Sequence, residues 1–134
     1  MTLRVGVIGT GMIGADHVAR LTTQVVGATV SAVFDVATDR AHQVAASAGA
    51  TTRDSWEALV AADDVDAVLI ASPGHLHPDQ AIACVAAGKP VLCEKPLAMT
   101  VAQCKEMAAL AKKQKVRVGL WHNYRRAPAT RLAA

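Results

Sequence analysis

Leu3-Arg4-Val5-Gly6-Val7-Ile8-Gly9-Thr10-Gly11-Met12-Ile13-Gly14 decides how the rest of the chain reads. Leu3, Val5, Val7 and Ile8 make a β-rich run too short for a helix. Three glycines follow as G-x-G-x-x-G, and Met12 to Leu21 continues in helix-compatible residues. The segment is strand, tight turn, helix. Gly9 permits the turn, Gly11 lets the backbone approach a ligand without a Cβ in the way, and Gly14 lets helix and strand pack closely. The helix start at Gly11, Met12, Ile13 and Gly14 presents unpaired N–H groups at the positive end of the dipole, where an anion is favoured. The spacing suits the pyrophosphate of a dinucleotide. A glycine-rich turn with no ligand is the plainer alternative, and the position of the motif between a strand and a helix weighs against it.

Gly27 stops the first helix, and Ala28 to Phe34 gives a second strand ending at Asp35. Asp35 lies 21 residues beyond Gly14, at the end of a strand next to the first, where a carboxylate accepts from an adenosine ribose (35 − 14 = 21). A 2′-phosphate would meet it as a like charge, so Asp35 favours NAD over NADP. Two readings stay open beside this one: an Asp that merely opens the next turn, and an Arg40 that accommodates a 2′-phosphate. Thr38 or Asp39 caps a helix to about Ser47, Gly49 ends it, and Ala50 to Thr52 is a short third strand. Ser55 to Ala62 is a small helix. Ala67-Val68-Leu69-Ile70-Ala71 is a continuous apolar run of the kind buried on both faces of a parallel sheet, and reads as the central fourth strand. It leads into Ser72-Pro73-Gly74-His75-Leu76-His77-Pro78, a loop that faces the same crevice as the glycine turn. Pro78 opens a helix that runs to Ala87 and stops at Gly88. Lys89 to Cys93 is a fifth strand ending at Glu94-Lys95-Pro96. Thr100 and Gln103 form a capping box for a helix whose core face is read as Val101, Cys104, Ala108 and Ala111. Val116 to Trp121 is a sixth strand, followed by His122-Asn123-Tyr124-Arg125-Arg126.

Strands alternating with helices across short loops predict an α/β fold: a Rossmann-type doubly wound parallel sheet with strand order 3-2-1-4-5-6. The chain has 134 residues, enough for one such domain without disulfides or metal and too few for a second. The four aromatic residues argue against a stacking platform for nucleic acid. Eight of the 14 Lys and Arg residues lie from Lys105 onward, which reads as a solvated helix end with Lys112, Lys113 and Lys115 at the favourable C-terminal dipole position. No nucleic-acid partner is expected. No apolar run reaches the ~18 residues a membrane span needs. Cys84, Cys93 and Cys104 form no C-x-x-C pair, so a reduced, cytoplasmic setting is expected. His75 and His77 make an H-x-H pair, but no third ligand stands near enough in the pattern to complete a zinc site, and no metal is expected. His17 and His42 fall inside helices and are read as structural.

By Glu94-Lys95-Pro96 the sequence resembles the Gfo/Idh/MocA family of NAD(P)-dependent sugar and polyol oxidoreductases. The resemblance is carried by Val5 to Gly14, Asp35, Ser72 to His77, and Ala87-Gly88-Lys89-Pro90-Val91-Leu92-Cys93-Glu94-Lys95-Pro96-Leu97-Ala98. Met1 through Asp35 looks most like bacterial inositol dehydrogenases within the family, whereas His122 to Ala129 looks more like relatives acting on other sugars. The resemblance implies a division into residues 1–122, an NAD-binding Rossmann domain, and 123–134, the start of a linker into an α+β substrate domain. It implies that Lys95 lies between nicotinamide and the substrate hydroxyl, working with an Asp and a His from that second domain, and that His77 lies on the nicotinamide side, with a loop histidine that makes a structural hydrogen bond as the plainer alternative. It also implies members that are oligomers through the second domain, which leaves a homo-oligomer among the states open to this protein.

A lysine at this point makes chemical sense, because alcohol oxidation sheds a proton while hydride leaves for nicotinamide. A solvated lysine titrates near 10.4, and burial beside a cationic ring disfavours its charged form. Glu94 either fixes the lysine or supports the backbone. The candidate set is Lys95 for catalysis, and Gly9, Gly11, Met12, Ile13, Gly14, Asp35, Ser72, His77, Glu94, Lys95 and Asn123 for cofactor binding. The expected function is hydride transfer from a polyol or sugar hydroxyl to NAD, with this chain inactive alone. A stand-alone NAD-binding or sensing module is the alternative.

Overall fold

The computed structural model describes residues 1–122. Six strands form one sheet in the order β3-β2-β1-β4-β5-β6, and every neighbouring pair is parallel. In chain order the elements are β1 (Leu3–Ile8), α1 (Met12–Thr23), β2 (Ala28–Phe34), α2 (Thr38–Ala48), β3 (Thr51–Thr52), α3 (Trp56–Ala61), β4 (Ala67–Ile70), α4 (His77–Ala86), β5 (Val91–Glu94), α5 (Val101–Gln114) and β6 (Val118–Trp121). A short 3-10 turn, Gly74–Leu76, precedes α4. The predicted order is the observed one.

The two faces of the sheet carry separate cores. Val5, Val7, Val30, Val33 and Leu69 pack with Val18 of α1 and Ala41 and Ala45 of α2. Ile8, Ala32, Val68, Ile70, Val91 and Cys93 pack with Leu59 of α3, Cys84 of α4 and Met107 of α5. Val30 and Val33 share a face despite their odd spacing because the β1–β2 register jumps between Val5↔Val30 and Gly6↔Ala32, leaving Ser31 as an extra residue. The chain therefore crosses on one face after β1 and on the other after β4, and the crevice opens between the C-terminal ends of those two strands.

Two details differ from the sequence reading. Neither Thr38 nor Asp39 caps α2: the N-cap is Ala37, with no side-chain cap bond. Its N–H is instead held at 2.8 Å by Asp35 Oδ1, a carboxylate two residues back that does the work of a cap. On α5 the face of Val101, Cys104, Ala108 and Ala111 is not the core face; Val101 is 70% exposed and Met107 2%. The capping box of Thr100 and Gln103 is present as expected.

Cys84 and Cys93 are buried, and burial pushes both thiols up to about 12. Cys104 is exposed. A thiol reagent at neutral pH should label Cys104 alone in the folded chain and all three after denaturation. Mass-detected labelling of Cys84 or Cys93 under native conditions would show that the α4–β5 layer opens.

Candidate functional site: a glycine cradle and a lysine at adjoining strand ends

The turn after β1 is fixed by close packing. Gly9 has φ 94°, its N–H donates to Phe34 O at 2.8 Å, and a Cβ there would lie 2.7 Å from the Ala71 carbonyl group. A Cβ at Gly14 would run into the Gly9 carbonyl oxygen, whereas one at Gly11 meets nothing within 4 Å. Two of the three glycines thus make the turn, and the third faces open space.

That space lies at the start of α1. Among the five described α-helices, α1 alone has neither a side-chain cap nor an acid in its first turn. Its leading N–H groups and the positive end of its dipole can take an anion. The cavity above it, of about 560 Å³, is bordered by Gly9, Gly11, Met12, Ile13, Asp35 and Ser72.

Asp35 closes one end and is 7% exposed. Its Oδ2 accepts from the Thr10 N–H at 2.7 Å and the Thr10 hydroxyl at 3.0 Å, and Arg40 Nη2 donates to both carboxylate oxygens at 2.9 Å. Burial pushes the carboxyl up, but the N–H groups of Ala37 and Thr10, the Arg40 guanidinium and the Thr10 hydroxyl outweigh it and hold the carboxyl below its usual range. Asp35 therefore braces the glycine turn as well as facing the cavity. Arg40, whose side chain is 49% exposed, covers both oxygens of this carboxylate.

The sign of the shift fixes a pH dependence. A carboxyl depressed in the folded state contributes its stability above its unfolded value, about 4, and loses it as pH falls through the folded value. The melting-temperature gap between wild type and Asp35→Asn should be constant above about pH 5 and close below about pH 4. A gap that widens in acid would contradict the placement of this charge.

A second cavity, of about 340 Å³, adjoins the first through Ile13, Ala71 and Ser72, and is also bordered by His17, Glu94, Lys95 and Trp121. Lys95 is exposed at its rim, directly after the end of β5. Glu94 is turned back onto α1, with Oε1 2.6 Å from His17 Nε2. Ser72 donates its hydroxyl to Gln80 Oε1 at 2.5 Å.

Of the candidate residues, Gly9, Gly11, Met12, Ile13, Asp35 and Ser72 line the first cavity, and Ile13, Ser72, Glu94 and Lys95 the second. Gly14 lies behind the turn. His77 is 1% exposed, with its ring nitrogens 2.6 Å from the carbonyl oxygens of Pro96 and Ser72, and so ties the two loops together from beneath. Asn123 and Tyr124 lie outside the described residues, as does the whole 123–134 segment. His17, which its place inside a helix marks as structural, borders the second cavity. Its signal was the helical spacing of Ile13, Asp16, His17 and Arg20, all of which border the second cavity. Among the described residues no group of three or more His, Cys, Asp or Glu side chains is placed to hold a metal ion, and no helix is long and apolar enough to cross a membrane.

The family model described as "Oxidoreductase family, NAD-binding Rossmann fold" matches residues 3–122. The chain belongs to the Gfo/Idh/MocA oxidoreductase family. The domain of this Gfo/Idh/MocA member is therefore an NAD-binding one. Among curated relatives, inositol 2-dehydrogenase 3 of Saccharopolyspora erythraea is 48% identical over 127 residues, covering 92% of this chain and 38% of the relative. Among solved structures, an NAD-binding oxidoreductase from Klebsiella pneumoniae is 37% identical with a TM-score of 0.85, covering 99% of this chain and 37% of that one. The myo-inositol 2-dehydrogenase of Lactobacillus plantarum is 26% identical with a TM-score of 0.90, covering 99% of this chain and 40% of that one. The chain spans 31 to 38% of the length of eight curated relatives it matches.

Proposed function

We propose that this chain is the cofactor-binding part of an NAD-dependent inositol-type dehydrogenase, which oxidises a secondary hydroxyl of a polyol. The observation that carries the reading is Lys95 at the rim of a cavity continuous with the uncapped start of α1. Names of relatives point the same way: inositol 2-dehydrogenases from several bacteria share 43 to 54% of their matched residues with this chain.

NAD, when bound, supplies the hydride acceptor. The N–H groups of Gly11, Met12 and Ile13 would hold its phosphates and Asp35 would accept from the adenosine ribose, and Ile13 and Ser72 lie where the two cavities meet. Lys95 takes the hydroxyl proton from the substrate as the carbinol hydrogen departs, so the alcohol loses one hydride and one proton and becomes a ketone. The opposing wall of the substrate pocket, with a second proton-handling group, lies in sequence beyond this chain, and without it the chain binds cofactor but does not turn over. Three cysteines with no disulfide fit a reducing, cytoplasmic setting.

The test is NADH formation by the protein extended with its downstream coding sequence, offered myo-inositol, scyllo-inositol, glucose and levoglucosan in turn. Reduction of NAD with an inositol at least about tenfold faster than with the other two supports the reading. Binding of NAD with no turnover of any polyol would favour a sensing module instead.

A further inference from the structure

His17 stands where three elements meet. It projects from the second turn of α1, is buried, and bonds through Nε2 to Glu94 Oε1 at the end of β5. Its ring meets the Trp121 ring edge-on, with centroids 5.7 Å apart and planes at 84°. Trp121 is the register partner of Glu94 across β5 and β6. One imidazole thus touches two neighbouring strand ends by two different forces, a short hydrogen bond to a carboxylate and a T-shaped ring contact.

The side chain of Glu94 is 15% exposed and that of His17 10%, so neither can lose the other without leaving a poorly hydrated polar group. Glu94 relieved of His17 would turn toward water and take the strand end with it, and Lys95 is the next residue. The other end of this connection is equally fixed, because Gly14 leaves no slack between α1 and the glycine turn. Contacts therefore run without a gap from the phosphate cradle through α1 and His17 to Glu94 and Lys95.

We propose that His17 is a positioning residue: through Glu94 it holds the Glu94–Lys95 turn at a set distance from the phosphate cradle and so shapes the nicotinamide end of the site. It does not itself touch the reacting atoms. The proposal rests on the functional reading above and adds to it that nicotinamide occupies the smaller cavity, beside Lys95.

The test is calorimetry on the 134-residue chain with NADH and with ADP-ribose, which share adenosine and pyrophosphate but not nicotinamide. Wild type should bind NADH about tenfold more tightly than ADP-ribose. His17→Phe keeps a ring against Trp121 and removes the partner of Glu94. It should leave ADP-ribose within about twofold and reduce the NADH advantage to about twofold or less. His17→Gln, with an amide N–H near the Nε2 position, should recover most of that advantage. Glu94→Leu should lose it, and the double variant should be no worse than Glu94→Leu, since a residue acting only through Glu94 has nothing further to lose. Should His17→Phe not fold, Glu94→Leu and His17→Gln carry the same comparison.

Equal weakening of both ligands in His17→Phe would mean a merely structural histidine, and additive losses in the double variant would break the link to Glu94; either overturns the proposal. A wild-type chain that does not distinguish the ligands overturns it along with the nicotinamide placement. The predicted pattern here, with no polyol turnover by the extended protein, would uphold the positioning role and sink the substrate reading alone.

Discussion

Gly11→Ala should fold as wild type does and lose about a hundredfold in NAD+ affinity, whereas Gly14→Ala should lose stability before anything else. The two substitutions add the same methyl group to the same turn, and their surroundings set the difference. A Cβ added at Gly11 would meet nothing within 4 Å, and the backbone there, φ −65° and ψ −168°, suits alanine. The new methyl points into the space where the phosphates approach the helix start. Pushing them away breaks one or two charge-assisted bonds, each worth about 1.5 to 3 kcal/mol, and each 1.4 kcal/mol is a decade of affinity. At Gly14 the obstacle is the Gly9 carbonyl, which is backbone and cannot swing aside. Overpacking costs about 1 to 3 kcal/mol, and an unyielding neighbour puts this case at the upper end, so melting should fall by roughly 10 °C. Thermal melts and calorimetry on both variants separate the roles. A stable Gly14→Ala, or a Gly11→Ala that binds NAD+ normally, would show that the cradle has been assigned to the wrong residues.

In the extended protein, Lys95→Met should lower kcat with an inositol by about 10² to 10⁴ while leaving NAD+ affinity within a few-fold, because general acid–base help is lost and the phosphate cradle is untouched. The isolated chain should fall further still. Positioning supplies roughly 7 to 11 kcal/mol of barrier reduction, and a pocket with one wall forfeits most of it. Turnover by the 134-residue chain comparable to that of the extended protein would contradict the two-part division of the site; a Lys95→Met variant with wild-type kcat would remove the lysine from the chemistry.

The sheet was legible because its signals are local and agree with one another. Strand-like runs of three to seven residues, glycines near their ends and helix-compatible stretches between them leave few topologies once crossovers must be right-handed. The core face of α5 was not legible, because this helix carries small or apolar residues on several sides. The stripe of Val101, Cys104, Ala108 and Ala111 has the right spacing, and only the position of α4 decides that Met107 is the residue buried. The cap of α2 was misread for a related reason. Thr38 and Asp39 are good capping types, but Asp35 already reaches the Ala37 N–H from a strand end whose place depends on the glycine turn.

The site shows the same boundary between what is local and what is not. The turn-making parts of Gly9 and Gly14 are carried by their spacing, and the place of Asp35 beside the same cavity by its distance from them. That Arg40 occupies both Asp35 oxygens, or that His17 reaches Glu94 across 77 residues, depends on where α1, α2 and β5 end in space. A histidine inside a helix has no sequence mark that separates a structural role from a positioning one. Only the company of Asp16 and Arg20 on the same face hinted that this face does not meet an apolar core.

In the function proposed above, the uncapped start of α1, with Asp35 beside it, is a dinucleotide site tuned to a free 2′-hydroxyl. Calorimetric titration of the 134-residue chain with NAD+ and with NADP+ tests it most directly. One NAD+ should bind per chain, with NADP+ weaker by about one to two decades, as expected for losing a charge-assisted bond at Asp35 and meeting its charge; no NAD+ binding, or equal affinity for the two, would contradict it.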